Sequence, residues 1–393
     1  MTGERLDVLL AGEAGLAHPG GAERFALDVL DGLGRSHRVR ALVLGKPEPV
    51  AAWRRLAPRV QIEAVAPPPD EPAAAWRRRR LRADRTRAAV AEALERDPAD
   101  VVVGQLYAGA GAVAAARSAG VPAALLLAGY EALCHWAFGV DSACLPESRC
   151  RRCPRALALP PAEREELLAV RDEQDAALQA AACLIAPSGA MAAACERITG
   201  RRPHVVAWVT RALPPAKARP DGHVLLISSV WSREKGVDLL EPVARRLSDR
   251  SVVVQAPNGL PAATEAALAR LSNVSVRGDH AEIGSLLDGA SLVLVPSQLP
   301  EPFGRVAFEA MGAGVPVLAS DTGGLAEFVP AGQLVTRRDD PDAWAAAARH
   351  LETPGEWQAA RAAGLAAAHA VLEGDPVRRI EGLLREARSA SPR

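Results

Sequence analysis

Short apolar runs alternate with helix-like segments along this chain, and this alternation restricts its fold more than any other feature. The first run, residues 6–10, ends close to Gly12, and the segment after Ala22 places its large apolar residues on one helical face. Further apolar runs of strand length follow at residues 39–44, 101–103, 123–127 and 184–187. Strand, helix, strand alternation of this kind is typical of a doubly wound parallel sheet.

A Pro-rich segment at residues 201–221 separates this series from a second one of the same kind. The apolar runs of the second series are residues 224–227, 252–254, 274–276, 292–295 and 315–318. A chain of 393 residues is too long for one ordinary core and suits two. We therefore predict an α/β chain of two Rossmann-like, doubly wound domains that face a central cleft, where such sheets bind ligands.

The predicted domain boundaries follow from these two series. The first Rossmann-like domain covers residues 1–205 and carries a Cys-rich insertion at about residues 134–153, and the second domain covers residues 206–375. The remaining residues, 376–393, form a helical tail that can cross back to the first domain.

Charge and hydropathy exclude several classes of partner. The chain carries 47 Lys and Arg against 47 Asp and Glu, so no broad attraction to nucleic acid or anionic lipid is expected. The N-terminal sequence does not resemble a signal peptide, and no apolar stretch reaches the length of a membrane span. The Arg-rich stretch 76–87 has a thin apolar face, which favours a solvated helix over one lying on a membrane. We expect a cytoplasmic protein without membrane association.

The most informative segment runs from Pro296 to Ser320 and contains two carboxylates. A strand ends near Pro296, a Pro- and Gly-rich loop follows, and a helix begins near Gly304. The first backbone N–H groups of that helix have no intrahelical partner and suit a phosphate or a sugar hydroxyl. Glu301 lies just before the helix and Glu309 within its second turn. Each ionised carboxylate can accept two hydroxyl groups, as binding of a vicinal diol of a sugar or ribose requires.

This segment, together with the following stretch 323–327, closely resembles the Glu-x7-Glu signature of glycosyltransferase family 4. Two further stretches are similar to that family, the Glu-Lys-Gly turn at residues 234–236 and a glycine loop at residues 19–23. The resemblance spans nearly the whole chain and implies the GT-B fold. It also implies a retaining glycosyltransferase that moves a sugar from a nucleotide-activated donor to a small-molecule or glycan acceptor, without a catalytic metal.

The resemblance also implies roles for individual residues. Glu301 holds the transferred sugar, Glu309 binds the nucleotide ribose, and Lys235 stabilises the leaving diphosphate. Glu301 and Lys235 are therefore the expected catalytic residues, because preplaced cations and hydrogen-bond donors oppose the negative charge that grows on the departing phosphate. The other donor-binding positions that the resemblance implies are Gly20, Gly21, Phe303, Gly304, Arg305 and Val306.

The match to the family fails at three places. Val230 stands where the family usually has an Arg that binds the diphosphate, and Ala128 stands where it usually has a His near the reacting carbon. The segment 207–211 replaces the usual Asn-Gly turn that opens the second domain. Candidates to supply the missing groups are Arg211 and Arg233 for the cation and His135 for the imidazole.

These departures keep two further functions open. On the same scaffold, a hydrolase or N-glycosidase could cleave a nucleotide or nucleotide sugar with water in place of an acceptor. A non-catalytic nucleotide-binding protein is the third interpretation, and the presence of both Glu301 and Glu309 argues against it.

Four cysteines lie close together in the predicted insertion. They are Cys134, Cys144, Cys150 and Cys153. A cytosolic chain is not expected to hold stable disulfides, and four thiols that include a Cys-x2-Cys pair have the ligand count of a structural zinc site. A subset of glycosyltransferase family 4 resembles this arrangement. The alternatives are an iron–sulfur cluster and four reduced thiols without a metal.

Overall fold

A computed structural model describes residues 4–14, 20–105, 108–136, 149–209, 211–279 and 281–390. The chain divides into two compact units. Unit 1 combines residues 1–210 with residues 375–393, and unit 2 consists of Arg211–Gly374. The boundary thus falls after residue 210, whereas the sequence placed it after residue 205. No helix within the described ranges is both long and apolar enough to cross a membrane.

Unit 1 is built on a parallel sheet that has seven strands over its described residues, in the order β3-β2-β1-β4-β5-β6-β7. These strands are β1 Asp7–Ala14, β2 Arg38–Gly45, β3 Gln61–Val65, β4 Val101–Gln105, β5 Ala123–Leu126, β6 Cys183–Ala186 and β7 His204–Val205. The central strands are rich in Val, Leu and Ala and are buried along their length. Continuous burial of this kind is expected of a parallel sheet covered by helices on both faces.

The helices of unit 1 connect successive strands and cover the sheet. Their bounds are α1 Gly21–Leu33, α2 Pro47–Leu56, α3 Ala75–Arg96, α4 Ala108–Ser118, α5 Pro154–Leu157, α6 Pro161–Ala180, α7 Gly189–Thr199 and, from the end of the chain, α15 Pro376–Ala390. Helix α3 lies against the Ala- and Gly-rich α4, where an added Cβ on Gly111 would lie 1.9 Å from the carbonyl oxygen of Ala83. The small residues of α4 therefore let α3 approach closely.

Unit 2 repeats this architecture with a parallel sheet of six strands over its described residues, in the order β10-β9-β8-β11-β12-β13. Its strands are β8 His223–Ile227, β9 Val252–Gln255, β10 Val274–Arg277, β11 Ala290–Val295, β12 Val317–Ser320 and β13 Leu334–Val335. Its helices are α8 Leu240–Arg246, α9 Ala262–Leu268, α10 Ile283–Leu287, α11 Arg305–Gly312, α12 Leu325–Phe328, α13 Pro341–His350 and α14 Pro354–Glu373. The prediction of two doubly wound α/β units is confirmed.

Each sheet changes its direction of winding at one place. In unit 1 the chain runs outward from β1 to β3 and then returns to place β4 beside β1. In unit 2 it runs from β8 to β10 and returns to place β11 beside β8. Open α/β sheets bind ligands beyond the carboxyl ends of the strands at such switch points.

The last helix, α15, belongs to unit 1 although unit 2 precedes it in sequence. Ile380 and Leu384 are fully buried on its inner face. At its surface, Arg388 forms an ion pair with Asp100 at 3.1 Å, and an Nε2–Oε1 distance of 3.3 Å joins His37 to Glu381. The apolar stripe and these polar contacts attach the end of the chain to the first unit.

Candidate functional site

In unit 2, Glu301 lies in the loop that follows β11 and is 9% exposed. Its Oε1 atom accepts a hydrogen bond from Lys235 Nζ at 2.6 Å and one from the Ser297 hydroxyl at 2.5 Å. Lys235 lies in the loop that follows β8, so these two groups meet at the switch point of the sheet. The structure thus brings together the two residues that the sequence named as catalytic.

The loop after β8 approaches the loop after β11 closely because Gly236 has no side chain. Gly236 has φ +79°, and an added Cβ would lie 2.1 Å from the carbonyl oxygen of Pro296. A backbone hydrogen bond of 2.8 Å from Gln298 N to Glu234 O joins the same two loops. The Glu-Lys-Gly turn therefore positions Lys235 through its glycine and its backbone.

A third loop, after β12, holds the backbone of Glu301 in place. Gly324 N donates to Glu301 O at 2.8 Å, and Gly323 forms a parallel bridge with Glu301. An added Cβ on Gly323 would lie 2.5 Å from Glu301 O, and one on Gly324 would lie 2.7 Å from Pro302 O. Side chains at these positions would displace the Glu301 loop, which explains the pair of glycines.

The electrostatic environment keeps Glu301 ionised. Burial would raise the pKa of its carboxyl, but the Lys235 ammonium and the Ser297 hydroxyl outweigh burial and hold that pKa below the ordinary value. An ionised carboxylate accepts hydrogen bonds and donates none. Glu301 can therefore receive hydroxyl donors from a sugar once a ligand engages Lys235.

Helix α11 begins directly after this loop. Its N-cap, Gly304, has φ +102°, and an added Cβ there would lie 2.3 Å from Leu325 Cδ2. Phe303 is buried and stacks on Phe328 with ring centroids 4.8 Å apart. These contacts fix the start of the helix, where backbone N–H groups without intrahelical acceptors favour an anion. The side chain of Val306 follows within the first turn of α11.

Glu309 and Arg305 form an ion pair on α11 with an Nη2–Oε1 distance of 2.8 Å. Both side chains are largely buried, at 15% and 13% exposure. The family resemblance implies donor binding for both residues but not their pairing, although their spacing of four residues is the one at which helix side chains meet. Arg305 thus orients the carboxylate that we expect to meet the ribose.

The residue that replaces the family's diphosphate-binding Arg and the two Arg residues that could substitute for it differ in exposure and in pairing. Val230 is 51% exposed, which is unusual for a large apolar side chain and leaves this place without a charge. Arg233 is 87% exposed and pairs with Asp238 at 3.0 Å, and Arg211 is also exposed. Among the described residues, no hydrogen bond or ion pair joins the side chain of Arg233 or Arg211 to the side chain of Lys235 or Glu301.

The predicted site residues of unit 1 lie at the carboxyl ends of its strands. Gly20 is the N-cap of α1, Gly21–Leu33, and its backbone N donates to Glu23 Oε2 at 2.6 Å, so this N–H group has its acceptor within the helix. His135 is 1% exposed and lies edge-on to the ring of Trp136 at 6.4 Å. Ala128 is buried just after β5.

The cysteine cluster is described only in part, because Cys144 lies outside the described residues. Cys134 and Cys150 are buried, and a backbone hydrogen bond of 3.3 Å from Cys153 N to Cys150 O closes the Cys-x2-Cys turn. No group of three or more metal-binding side chains is found among the residues that the structure describes. The four-thiolate zinc site stays a prediction.

Unit 1 contains a partly buried ion pair that the sequence pattern did not predict. Glu13 lies within the apolar strand β1 and is 2% exposed, and its Oε2 accepts from Arg82 Nη1 at 2.8 Å. Burial raises the pKa of Glu13 to about 7, against the opposing effect of Arg82. The only available signal was a carboxylate at the end of an apolar run, and its partner lies 69 residues away in sequence.

Comparison with known families assigns part of unit 2. Residues 221–353 match the family model described as Glycosyl transferases group 1. An MMP alpha-(1->4)-mannosyltransferase from Mycolicibacterium hassiacum is 35% identical over 162 residues, which are 37% of this chain and 38% of that protein. A D-inositol 3-phosphate glycosyltransferase 1 from Catenulispora acidiphila is 32% identical over 188 residues, 42% of this chain and 45% of that protein. The matched regions thus span less than half the length of these curated relatives.

Solved structures share the fold over nearly the whole chain. A sucrose-phosphate synthase from Thermosynechococcus elongatus superposes with a TM-score of 0.71 at 16% identity and covers 98% of this chain and 100% of its own. HepE of Anabaena in complex with UDP-glucose gives a TM-score of 0.68 at 19% identity and covers 97% of this chain and 99% of its own. At this identity the likeness concerns the fold, which is GT-B.

Proposed function

We propose that this chain is a retaining glycosyltransferase of family 4, because residues 221–353 match the family model described as Glycosyl transferases group 1. It transfers a sugar from a nucleotide-activated donor to a small-molecule or glycan acceptor. The observation that carries the proposal is the contact of Lys235 with Glu301 at the switch point of unit 2, beside the start of α11. The structural likeness to HepE, which was solved in complex with UDP-glucose, supports a nucleotide sugar as the donor.

The proposed roles follow from charge and hydrogen-bonding capacity. Lys235 and the first N–H groups of α11 stabilise the diphosphate as negative charge develops on it. Glu301 accepts hydroxyl groups of the sugar, and Glu309, oriented by Arg305, accepts those of the ribose. Lys235 and Glu301 are paired with each other in the structure. When the donor binds, Lys235 contacts the diphosphate and Glu301 contacts the sugar hydroxyls, so both give up their mutual contact.

The proposed reaction exchanges one bond for another. The bond between the anomeric carbon and the diphosphate oxygen breaks, and its electron pair leaves with the diphosphate. The acceptor hydroxyl oxygen forms the new bond to the anomeric carbon, and its proton is released to the diphosphate or to solvent. With water as the acceptor, the same steps give hydrolysis of the nucleotide sugar, which is the outcome expected if the chain is a hydrolase.

The proposed structural zinc ion would hold the Cys134–Cys153 insertion and supply no chemistry, since four thiolates leave no open coordination position. Elemental analysis of purified protein tests this directly. We expect about one zinc per chain, in line with a single four-thiolate site, lost in Cys150→Ser. Folded, active protein without zinc or iron would contradict it.

The test of the function is a donor panel of UDP-, GDP- and ADP-sugars, assayed for release of nucleoside diphosphate with and without candidate acceptors. We expect one nucleotide class to be turned over, with release stimulated by an acceptor, and Glu301→Gln to abolish it. The exposed Glu265 of α9 offers a matched control, because Glu265→Gln removes a carboxylate of unit 2 away from this site. Release that no acceptor stimulates indicates a hydrolase, and nucleotide binding without any release indicates a binding protein. Either result would contradict the proposed transferase.

A further inference from the structure

Outside the site in unit 2, the most distinctive chemistry of the chain is an Arg-lined cavity in unit 1. It has a volume of about 220 Å³ and is lined by Glu71, Ala75, Arg78, Arg79 and Arg82. The arginines lie on the first two turns of α3, spaced so that Arg78 and Arg82 share one helical face. Glu13, at the carboxyl end of β1, contacts Arg82 from behind. The cavity therefore lies at the edge of the sheet where doubly wound folds bind ligands.

The three arginines are held to different degrees. Arg79 is buried and fixed, because its Nη1 donates to the carbonyl oxygens of Glu131 at 3.1 Å and Cys134 at 2.9 Å. Arg82 makes a bidentate pair with Glu71 at 2.6 and 2.8 Å. Arg78 makes no ion pair or side-chain hydrogen bond with any residue that the structure describes. One guanidinium that lines the cavity is thus available to a ligand.

Glu71 occupies the cavity in the way that a ligand anion would. Its two oxygens accept from Nε and Nη2 of Arg82, the fork that arginine presents to carboxylates and phosphates. Hydrogen bonds from Arg82 hold the pKa of Glu71 below its ordinary value despite partial burial, and the charges of Arg78 and Lys46 act in the same direction. Glu71 lies in the segment between β3 and α3, outside both elements. Three cations therefore surround one half-buried carboxylate.

The charge balance favours a dianion over a monoanion. A monocarboxylate ligand would replace Glu71 at equal charge and leave Arg78 uncompensated. A phosphate monoester carries up to two negative charges and three acceptor oxygens, so it can take over the bidentate contact with Arg82 and also reach Arg78. The cavity has room for a phosphate together with part of the sugar or polyol that bears it.

We propose that this cavity binds the phosphate monoester of a phosphorylated acceptor through Arg78 and Arg82, and that Glu71 is the internal carboxylate which that phosphate displaces. The identity of the ligand as an acceptor rests on the proposed glycosyltransferase function. The anion site itself is independent of it, because all its residues belong to unit 1 and its occupancy can be measured without turnover.

The experiment measures binding of inorganic phosphate, glucose 6-phosphate and glucose by calorimetry to the full chain. We expect both phosphates to bind and glucose to bind at least tenfold more weakly. Arg78→Gln should lower affinity for both phosphates about tenfold, as loss of a charge-assisted hydrogen bond predicts. Glu71→Gln should raise it severalfold, because the neutral amide competes less well for Arg82. If the Arg82–Glu71 ion pair only stabilised the fold, removal of the Glu71 carboxylate would not raise the affinity for phosphate.

Arg80→Gln is the matched control, since Arg80 lies on the same helix, is exposed and pairs with Glu173 at 3.4 Å. It should leave phosphate affinity unchanged. The proposal is overturned if Arg78→Gln and Arg80→Gln behave alike, or if Glu71→Gln weakens phosphate binding while the variant keeps the parent melting temperature. Binding of inorganic phosphate without binding of glucose 6-phosphate would contradict the assignment to an acceptor.

Failure of the phosphate-site proposal and failure of the proposed transferase would give different experimental results. Turnover of a nucleotide sugar by a chain that binds no phosphate in this cavity removes only the present inference. Phosphate binding that depends on Arg78, in a chain that binds no nucleotide sugar, removes only the proposed transferase.

Discussion

Lys235 and Glu301, 66 residues apart in sequence, form a direct contact of 2.6 Å between Nζ and Oε1. The Lys side chain is 32% exposed and the Glu side chain 11%. Each group is expected to bind a different part of the donor, yet in this contact each compensates the charge of the other. Binding of a donor must therefore replace this pair.

Lys235→Met should destabilise unit 2 by about 1–3 kcal/mol near neutral pH, because it leaves the buried Glu301 carboxylate without its cation. The pKa of Glu301 lies below its ordinary value in the folded chain. The stability that this group contributes is therefore present above its unfolded pKa and is lost as the pH falls through the folded pKa. The free energies of unfolding of variant and parent should converge as the pH falls from 7 through the folded pKa of Glu301. Lys217→Met, at an exposed lysine, should show no such convergence.

Glu309→Ala should weaken nucleotide binding about tenfold, since one charge-assisted hydrogen bond to the ribose is lost. Glu301→Ala should lower turnover far more than it lowers nucleotide affinity. Calorimetry with a nucleoside diphosphate, combined with a turnover assay, separates the two effects. An unchanged dissociation constant for Glu309→Ala would show that Arg305 and Glu309 only stabilise α11, and Glu265→Ala gives the baseline.

Val230→Arg should raise affinity for a nucleoside diphosphate more than for the monophosphate. The reason is that Val230 is exposed and leaves Lys235 as the main matched cation for phosphate. A diphosphate then lacks one charge-assisted hydrogen bond, worth roughly 1.5–3 kcal/mol. Four dissociation constants, parent and variant against each ligand, test this. Equal gains for both ligands would indicate that Arg233 or Arg211 already fills the role.

Gly304→Ala should destabilise unit 2 by roughly 2–4 kcal/mol, because Gly304 combines φ +102° with a Cβ position 2.3 Å from Leu325. Gly332→Ala is the matched control, since an added Cβ there meets no described atom within 4 Å. Its effect should stay within about 0.5 kcal/mol. Thermal unfolding compares the two variants, and similar melting temperatures would refute the requirement for glycine at the start of α11.

Glu13→Gln should be more stable than the parent at pH 8, and this gain should be smaller at pH 4.5. Burial raises the pKa of Glu13 from 4.5 to about 7. Between these values the unfolded chain has released a proton that the folded chain retains, so folding becomes less favourable as the pH rises. The full cost above pH 7 is about 3 kcal/mol. The charged groups that act on Glu13 are Arg82, which opposes the shift, and Glu131, which adds to it.

Urea unfolding at the two pH values measures the difference between Glu13→Gln and the parent. The control is Glu95→Gln on the exposed side of α3. A gain that is the same at both pH values would contradict a Glu13 pKa of about 7.

The alternation of apolar runs was sufficient to predict both sheets, because buried parallel strands need continuous apolar sequence. Three strands were missed, and each lies at the edge of a sheet. The strand Gln61–Val65 is mostly exposed and carries polar residues, and His204–Val205 lies within the Pro-rich segment that was interpreted as a linker. Leu334–Val335 pairs over only two residues. Edge strands of this length are defined by their neighbour in the sheet and leave little pattern of their own.

The sequence located the candidate site in unit 2 through a resemblance, and the roles of its residues stay predictions. The contact of Lys235 with Glu301 was not foreseen, because it depends on the adjacency of β8 and β11. The Arg-lined cavity was missed for a related reason. Its arginines were interpreted as a solvated helix face, and the burial of Arg79 and the pairing of Arg82 with Glu13 arise only when α3 packs against α4 and β2.

The attachment of α15 to unit 1 has a consequence for the order of events during synthesis. Most of unit 1 is translated before unit 2, but unit 1 lacks one helix until residues 376–390 emerge. At about 5–20 residues per second, α15 follows β7 by on the order of 10–30 s. While Arg211–Gly374 is being translated, the surface that Ile380 and Leu384 later cover stays open. Unit 1 can therefore complete its fold only after unit 2 has been translated, and until then it presents an apolar surface to which a chaperone can bind.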